Sequence, residues 1–235
     1  LVAGAFSSDP EKSKASGADF FLSPDRVYGS YQELVTQEAA LPADQRIDFV
    51  SIVTPNHVHF PAAKAALEAG FHVLSDKPAT FDLAEAKELA AIVKKTGRLY
   101  GLTHNYTGYP MVRHARELVR SGELGDLRLV QMEYPQDWLA EPVEQTGAKQ
   151  AVWRTDPAQS GAGGSTGDIG THAFHLAEFV TGLRVTSLLA DLAAVVPGRQ
   201  LDDDVGVFAG EPLIIKRQPS VIALEARCRN GQYLR

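Results

Sequence analysis

Three short apolar runs, "IDFVSIV" (47–53), "HVLS" (72–75) and "RLYGLTH" (98–104), alternate with two stretches of helical spacing. This alternation constrains the fold more than any other feature of the chain. The first intervening stretch, "FPAAKAALEAG" (60–70), is alanine-rich and closes on glycine, a helix stop signal. The second, "DLAEAKELAAIVKKTG" (82–97), carries acids early, lysines late and a terminal glycine, as the helix dipole favours. Upstream, "LVAGAF" reads as a strand, "SSDPEKSKAS" as a capped helix start and "SYQELVTQ" as a short helix. Repeated strand–helix units predict an α/β, Rossmann-like doubly wound parallel sheet. The near-continuous apolar run at 47–53 predicts a strand buried on both faces.

The pattern changes near residue 106, which sets the expected division into domains 1–106 and 107–235. "YPMVRHARELVRSGELG" (109–125) reads as one helix with a glycine stop, and "LRLVQMEY" (127–134) alternates as a strand does. A polar stretch with Pro and Gly, 135–167, reads as irregular. "DIGTHAFHLAEFVTG" (168–182) reads as a helix and "VTSLLADLAAVV" (185–196) as strand-like. Fewer helices between longer strands predict a second, α+β domain.

Composition narrows the function classes. The chain has 235 residues with 44 % hydrophobic and 22 % charged side chains, ample for a packed core. The net charge is −6 and no Lys/Arg block stands out, which argues against nucleic acid or an anionic membrane as partner. No apolar run reaches the roughly 20 residues of a membrane span, and no signal-peptide pattern opens the chain. Cys228 is the single cysteine, so no internal disulfide can form and a reducing cytoplasm is the expected compartment.

Ligands of open parallel sheets bind beyond the carboxyl ends of the strands. Three segments follow predicted strands and share that rim: "TPNHVH" (54–59), "SDKP" (75–78) and "THNY" (103–106). In the second, Pro78 biases Lys77 towards extended backbone. An ammonium there can donate hydrogen bonds to a substrate hydroxyl and stabilise alkoxide charge, or it can be a solvated lysine at a helix entry. Asp168 and His172 lie four apart on a predicted helix and so share one face. A carboxylate beside an imidazole can fix its tautomer for proton transfer, and the positive helix end helps to keep it neutral. The same pair also reads as a helix cap plus a core histidine. His57/His59 and His172/His175 lack the company of a zinc site, and no metal is expected. Trp153 and Arg154 either pack over a ligand or cover the second core. The glycine-rich "SGAGGSTG" (160–167) permits close backbone approach but lacks the Lys-Ser/Thr of a P-loop.

Two long motifs, in order, resemble the Gfo/Idh/MocA oxidoreductases, which include glucose–fructose oxidoreductase and inositol dehydrogenase. "VSIVTPNHVHFPAAKAALEAGFHVLSDKP" is similar to the family's strand–TPxxxH–helix–strand–EKP block. "SGAGGSTGDIGTHAFHLAEF" is similar to its glycine-rich segment followed by D-I-G-x-H. The resemblance covers roughly residues 1–208 and implies an enzyme that uses NAD or NADP to oxidise or reduce a hydroxyl of a sugar, cyclitol or related polyol. It also implies a second domain with an open, mostly antiparallel sheet, through which members commonly form dimers or tetramers. Residue by residue, it gives Lys77 the hold on the reacting hydroxyl and His172 the acid/base role, with Asp168 orienting His172 or binding substrate. Thr54, Pro55, Asn56 and His59 are expected to line the cofactor groove. Asp76 and Asn105 are expected near the nicotinamide ribose, and Trp153 and Arg154 near the nicotinamide and substrate. "YPQDWLAEP" (134–142) is expected in the substrate wall.

The chain departs from the family pattern in three places. Asp76 stands where Glu is usual. Ser7 and Ser8 end the first strand where an acid would favour NAD, so NADP stays open. The first strand and its G-x-G-x-x-G turn are missing, and the start reads as incomplete. An isolated chain is therefore expected to fold badly and to bind dinucleotide poorly. Beyond "LDDDVGVF" the tail does not alternate and reads as misread or truncated. Two competing functions share the same motifs: a non-catalytic NAD(P)-binding sensor, and a glycosidase that uses tightly held NAD.

Overall fold

The computed structural model describes residues 1–161, 163–199, 205–209 and 221–224, the last two segments as backbone. Two compact units divide it, Leu1–Thr103 and His104–Arg235. Cys228 and most of the tail that follows "LDDDVGVF" lie outside the described residues.

In the first unit, α1 (Pro10–Asp19) begins where Asp9 accepts hydrogen bonds from the amides of Glu11 and Lys12. α2 (Tyr31–Ala40) is capped by Ser30, whose hydroxyl accepts from the Glu33 amide. Strands β1 (Phe49–Ile52), β2 (His72–Ser75) and β3 (Tyr100–Leu102) form a parallel sheet in that order. Helix α3 (Asn56–Glu68) joins the first two strands and α4 (Leu83–Thr96) the last two. Asp82 caps α4, and Gly97 ends it at φ 65°, a left-handed conformation that glycine adopts without steric cost. Ala62, Ala63, Ala66 and Leu67 form the buried stripe of α3 at helical spacing. The small alanines let α3 lie close to the sheet, where the stripe packs with Ile52 and Val73.

Two expectations are corrected here. "LVAGAF" does not form a strand: it makes a single parallel bridge, Gly4 with Val27. And β1 is buried on one face only. Val50 and Ile52 pair with Val73 and Ser75 under α3, whereas Phe49 is 54 % exposed, and Ser51 and Leu74, paired with each other, are exposed too. The reason is the layering: α3 covers one side of the sheet, and on the other side even Leu74 of the central strand β2 is exposed.

Glu38 of α2 is fully buried and gathers four hydrogen bonds. Arg26 donates through Nε and Nη2 at 2.7 Å each, the Tyr28 hydroxyl donates at 2.7 Å and the Ile47 amide at 3.1 Å. Burial, then the hydrogen bond to Glu38, pushes the Tyr28 phenol up to about 12. The folded state thus holds the Tyr28 proton more tightly than the unfolded chain. That stabilisation is complete below about pH 10, the unfolded value, and is lost as pH rises towards 12. Urea midpoints measured from pH 8 to 12 are expected to fall across this window. Tyr28→Phe is expected to flatten the fall, and an identical slope in the variant would show that other groups drive it.

In the second unit, α5 (Pro110–Arg120) stops at Gly122, φ 77°, three residues before the expected Gly125. The 135–167 stretch is more ordered than its composition suggests. It follows β4 (Val130–Glu133) and carries α6 (Lys149–Arg154) and α7 (Pro157–Ser160). A π-helical turn, Thr166–Gly170, leads into α8 (Thr171–Thr181), which Gly182 closes at φ 72°. Strands β5 (Leu189–Ala193), β6 (Val205–Ala209) and β7 (Val221–Leu224) make two antiparallel pairs, β5–β6 and β4–β7. Thus "VIAL", in the tail that reads as patternless, pairs with β4. α8 packs on α5 and β4, with Ala173 and Ala177 as its buried contacts.

Candidate active site

The parallel register brings the carboxyl ends of the three strands side by side: Ile52 is level with Ser75, and Ser75 with Leu102. The loops that leave them carry Thr54 and Pro55, then Asp76 and Lys77, then Thr103. Asp76 ties two of them together, since its Oδ1 accepts from the Lys77 amide at 2.9 Å and from the Thr103 hydroxyl at 2.8 Å. Lys77 is half-buried at a bend just past β2, and its bond to Pro78 is cis. Tyr100 Oη donates to the Ala79 carbonyl at 3.4 Å.

His59 is fully buried, so it lines no open groove. Its ring lies between the Pro78 carbonyl, 2.7 Å from Nδ1, and the Thr54 carbonyl, 2.8 Å from Nε2. It fastens the loop after β2 to the loop after β1. Asn56 is buried in the first turn of α3, whereas Thr54 is exposed. The Ser7 hydroxyl accepts from the Asp9 amide at 3.1 Å, ahead of α1, and Ser8 is exposed. This rim suits a dinucleotide in its chemistry: the start of α3, polar loop residues and one lysine at the ends of parallel strands.

The second unit holds the other candidates. His172 is the second residue of α8 and is buried at 4 % exposure. The Tyr106 ring lies 4.4 Å from the imidazole, centroid to centroid, at 42°. His104 lies 5.3 Å away in an edge-on contact, and His175 is 4.4 Å from His104. The Tyr106 and Tyr134 hydroxyls are 2.8 Å apart. This hydrogen bond, with burial second, pushes the Tyr106 phenol up to about 12, so it stays protonated through the working range.

Asp168 sits in the π-helical turn that leads into the α-helix carrying His172. Asp168 forms a salt bridge with Arg154, whose Nε donates to Oδ2 at 3.2 Å. Arg154 lies on α6, with its guanidinium 4.2 Å from the Trp153 ring centroid and 5.6 Å from that of Trp138. Its Nη1 also donates to the Gln150 side chain at 2.6 Å. The glycine-rich segment is used for close approach within the chain: the Gly167 amide donates to the Gly163 carbonyl, and a Cβ on Gly163 would sit 3.5 Å from the Gly167 nitrogen. Asn105 opens a short 3-10 turn and is exposed. Among the described residues there is no group of three or more His, Cys, Asp or Glu that could hold a metal ion.

Sequence reasoning did not single out His104, Tyr106 or Tyr134 by residue. The two tyrosines lie in the flagged stretches "THNY" and "YPQDWLAEP", but an aromatic residue 66 positions from His172 gives no spacing signal.

Both units match known models. Residues 1–104 match the oxidoreductase family with an NAD-binding Rossmann fold, and residues 112–210 match the GFO/IDH/MocA C-terminal domain. The chain belongs to the Gfo/Idh/MocA oxidoreductase family. It is 34 % identical over 210 residues to the uncharacterized oxidoreductase YfiI of Bacillus subtilis, covering 88 % of this chain and 53 % of the relative. It is 32 % identical to the levoglucosan dehydrogenase of Pseudarthrobacter phenanthrenivorans, over 71 % of this chain and 42 % of that one. A crystal structure of an inositol dehydrogenase homolog from Azotobacter vinelandii, complexed with NAD+, superposes with a TM-score of 0.84. It is 34 % identical, with 98 % of this chain and 58 % of that chain covered. The chain thus spans about half the length of the curated relatives it matches.

Proposed function

We propose that the protein is an NAD(P)-dependent oxidoreductase acting on a CH–OH group of a sugar, cyclitol or related polyol. The observation that carries this reading is that one chain with both family domains places Lys77 at the carboxyl rim of the parallel sheet and a buried His172 at the start of α8. Relatives named for levoglucosan and inositol support the substrate class. The salt-bridged Asp168, the stacked Arg154 and the hydroxyl pair suit a ligand rich in hydroxyls.

In this reading the Lys77 ammonium donates a hydrogen bond to the reacting hydroxyl oxygen and favours its alkoxide character. The His172 imidazole accepts the hydroxyl proton as the carbon is oxidised, and returns it in the reverse direction. Asp168 holds Arg154 and contributes negative charge near the imidazole. Asp76 and His59 hold the loops that present Lys77. When bound, the nicotinamide supplies the acceptor or donor of the hydride. NAD and NADP both remain candidates, since Ser7 and Ser8 bring no acid to the ribose position. A small neutral substrate, rather than nucleic acid, fits the net charge of −6. Among the described residues no helix is long and apolar enough to cross a membrane. A homo-oligomer, dimer or tetramer, in a reducing cytoplasm completes the proposal.

Screening the natural full-length protein against sugars and polyols, with NAD+ and with NADP+, tests it. Stoichiometric reduced cofactor with at least one polyol is expected. Hydrolysis of a glycoside without net cofactor change, or cofactor binding with no turnover on any substrate, would overturn it. In the active combination, Lys77→Ala is expected to lower kcat about 10²–10³-fold, the usual cost of a lost preorganised donor.

A further inference from the structure

His172 needs more than the right chemistry to move a proton. Its ring must hold one orientation, and aromatic faces contribute to that. Tyr106 covers the imidazole at 4.4 Å and 42°, and His104 meets it edge-on at 5.3 Å. Tyr106 is itself fixed at its far end, where its hydroxyl shares a 2.8 Å hydrogen bond with Tyr134, the residue that follows β4. The short 3-10 turn that carries Tyr106 packs on α8 and α5, so the tyrosine is anchored at its backbone as well as at its hydroxyl.

We propose that Tyr106 is a positioning residue for His172: its ring, tethered through the Tyr134 hydroxyl, holds the imidazole in the orientation that accepts the substrate proton. This rests on the reading of His172 as the acid/base. A ring that loses its stacking face gains rotamer freedom, and a misplacement of about 1 Å at a reacting group costs up to roughly 10²-fold in rate. Tyr106 is not the proton acceptor, since its phenol stays protonated. The titratable groups that act on this pair are His104 and Tyr109 from the 3-10 turn and its end, Tyr134 after β4, and Asp168, which is paired with Arg154; His175 on α8 stacks on His104 one contact further out. Among them, the two tyrosines give a contact that substitution can divide into a face and a tether.

The test uses the natural full-length protein with Tyr106→Phe, Tyr106→Leu, Tyr134→Phe and His172→Ala. Leucine removes both face and tether and is expected to lower kcat about 10–10²-fold with KM changed less than about threefold. Phenylalanine keeps the face, and it is expected to restore kcat to within about tenfold of the parent, as is Tyr134→Phe. The His172 ring resonances, assigned by their loss in His172→Ala, are expected to lose the Tyr106 ring-current shift in Tyr106→Leu and to keep it in Tyr106→Phe. Thermal melts confirm that each variant is folded. Should leucine leave kcat within about twofold, or should phenylalanine be no better than leucine, or should the ring resonances stay unmoved, the proposal falls. Parent-like turnover in His172→Ala would instead remove the acid/base reading, and that outcome is separable because the ring-current shift reports the Tyr106 contact whatever the catalytic role.

Discussion

Replacing His172 by alanine in the full-length protein is expected to lower kcat by about 10²–10⁴-fold, with a smaller change in KM. The group lost is the proposed proton acceptor, and its contribution arises in the transition state, so the loss falls on kcat. His172 is 4 % exposed and enclosed by Tyr106 and His104. Deleting its ring also leaves a small cavity beside Ala173, so stability should drop as well. A His172→Gln variant separates the two effects: it fills most of the volume and keeps hydrogen-bonding capacity, but it cannot act as a base near neutral pH. Glutamine is expected to recover the melting temperature and not the rate. If glutamine recovered the rate too, proton transfer by this residue would be excluded.

The largest stability effect is expected far from the chemistry. Glu38→Ala should destabilise the first unit by about 3–5 kcal/mol, because it leaves Arg26 without its buried counter-charge. Glu38 is fully buried and Arg26 keeps 20 % of its side chain exposed, so water can partly reclaim the arginine. This places the expected value towards the lower end of that range. Two further donors, Tyr28 Oη and the Ile47 amide, also lose their acceptor. Urea unfolding followed by circular dichroism measures the change. A double variant, Glu38→Leu with Arg26→Met, is expected to recover part of the loss, since it removes both charges rather than one. A Glu38→Ala change below about 1 kcal/mol would show that the pair contributes as little as an exposed one.

Local signals in the sequence were sufficient wherever structure depends on near neighbours. β2 runs from His72 to Ser75, the same four residues as the apolar run, and α4 lies between its Asp82 cap and its Gly97 stop. The Rossmann-type first unit and the α+β second one follow from that alternation together with the family motifs. What failed to show depends on distant partners. Glu38 reads as an ordinary surface acid of a helix, because Arg26 and Tyr28 reach it only in the folded chain. α6 is six residues long and set in a polar stretch, too short for its period to register. "LVAGAF" has strand composition but pairs at one residue only. In the site, Lys77, Asp168 and His172 were readable as candidates from their residue types and motif positions. The link from Asp168 to Arg154 was not, because it crosses from α6 to a π-helical turn that no α-helical spacing anticipates.

The central claim is that Lys77 and His172 act on one alcohol in a single step. A double-mutant cycle tests it most directly: kcat/KM for Lys77→Ala, His172→Ala and the double variant of the full-length protein, with the polyol and cofactor identified in the screen. Residues that work as a unit lose their effect together, so the double variant is expected to fall within about tenfold of the worse single one. Losses that multiply in full, or a single variant with parent-like turnover, would contradict the account.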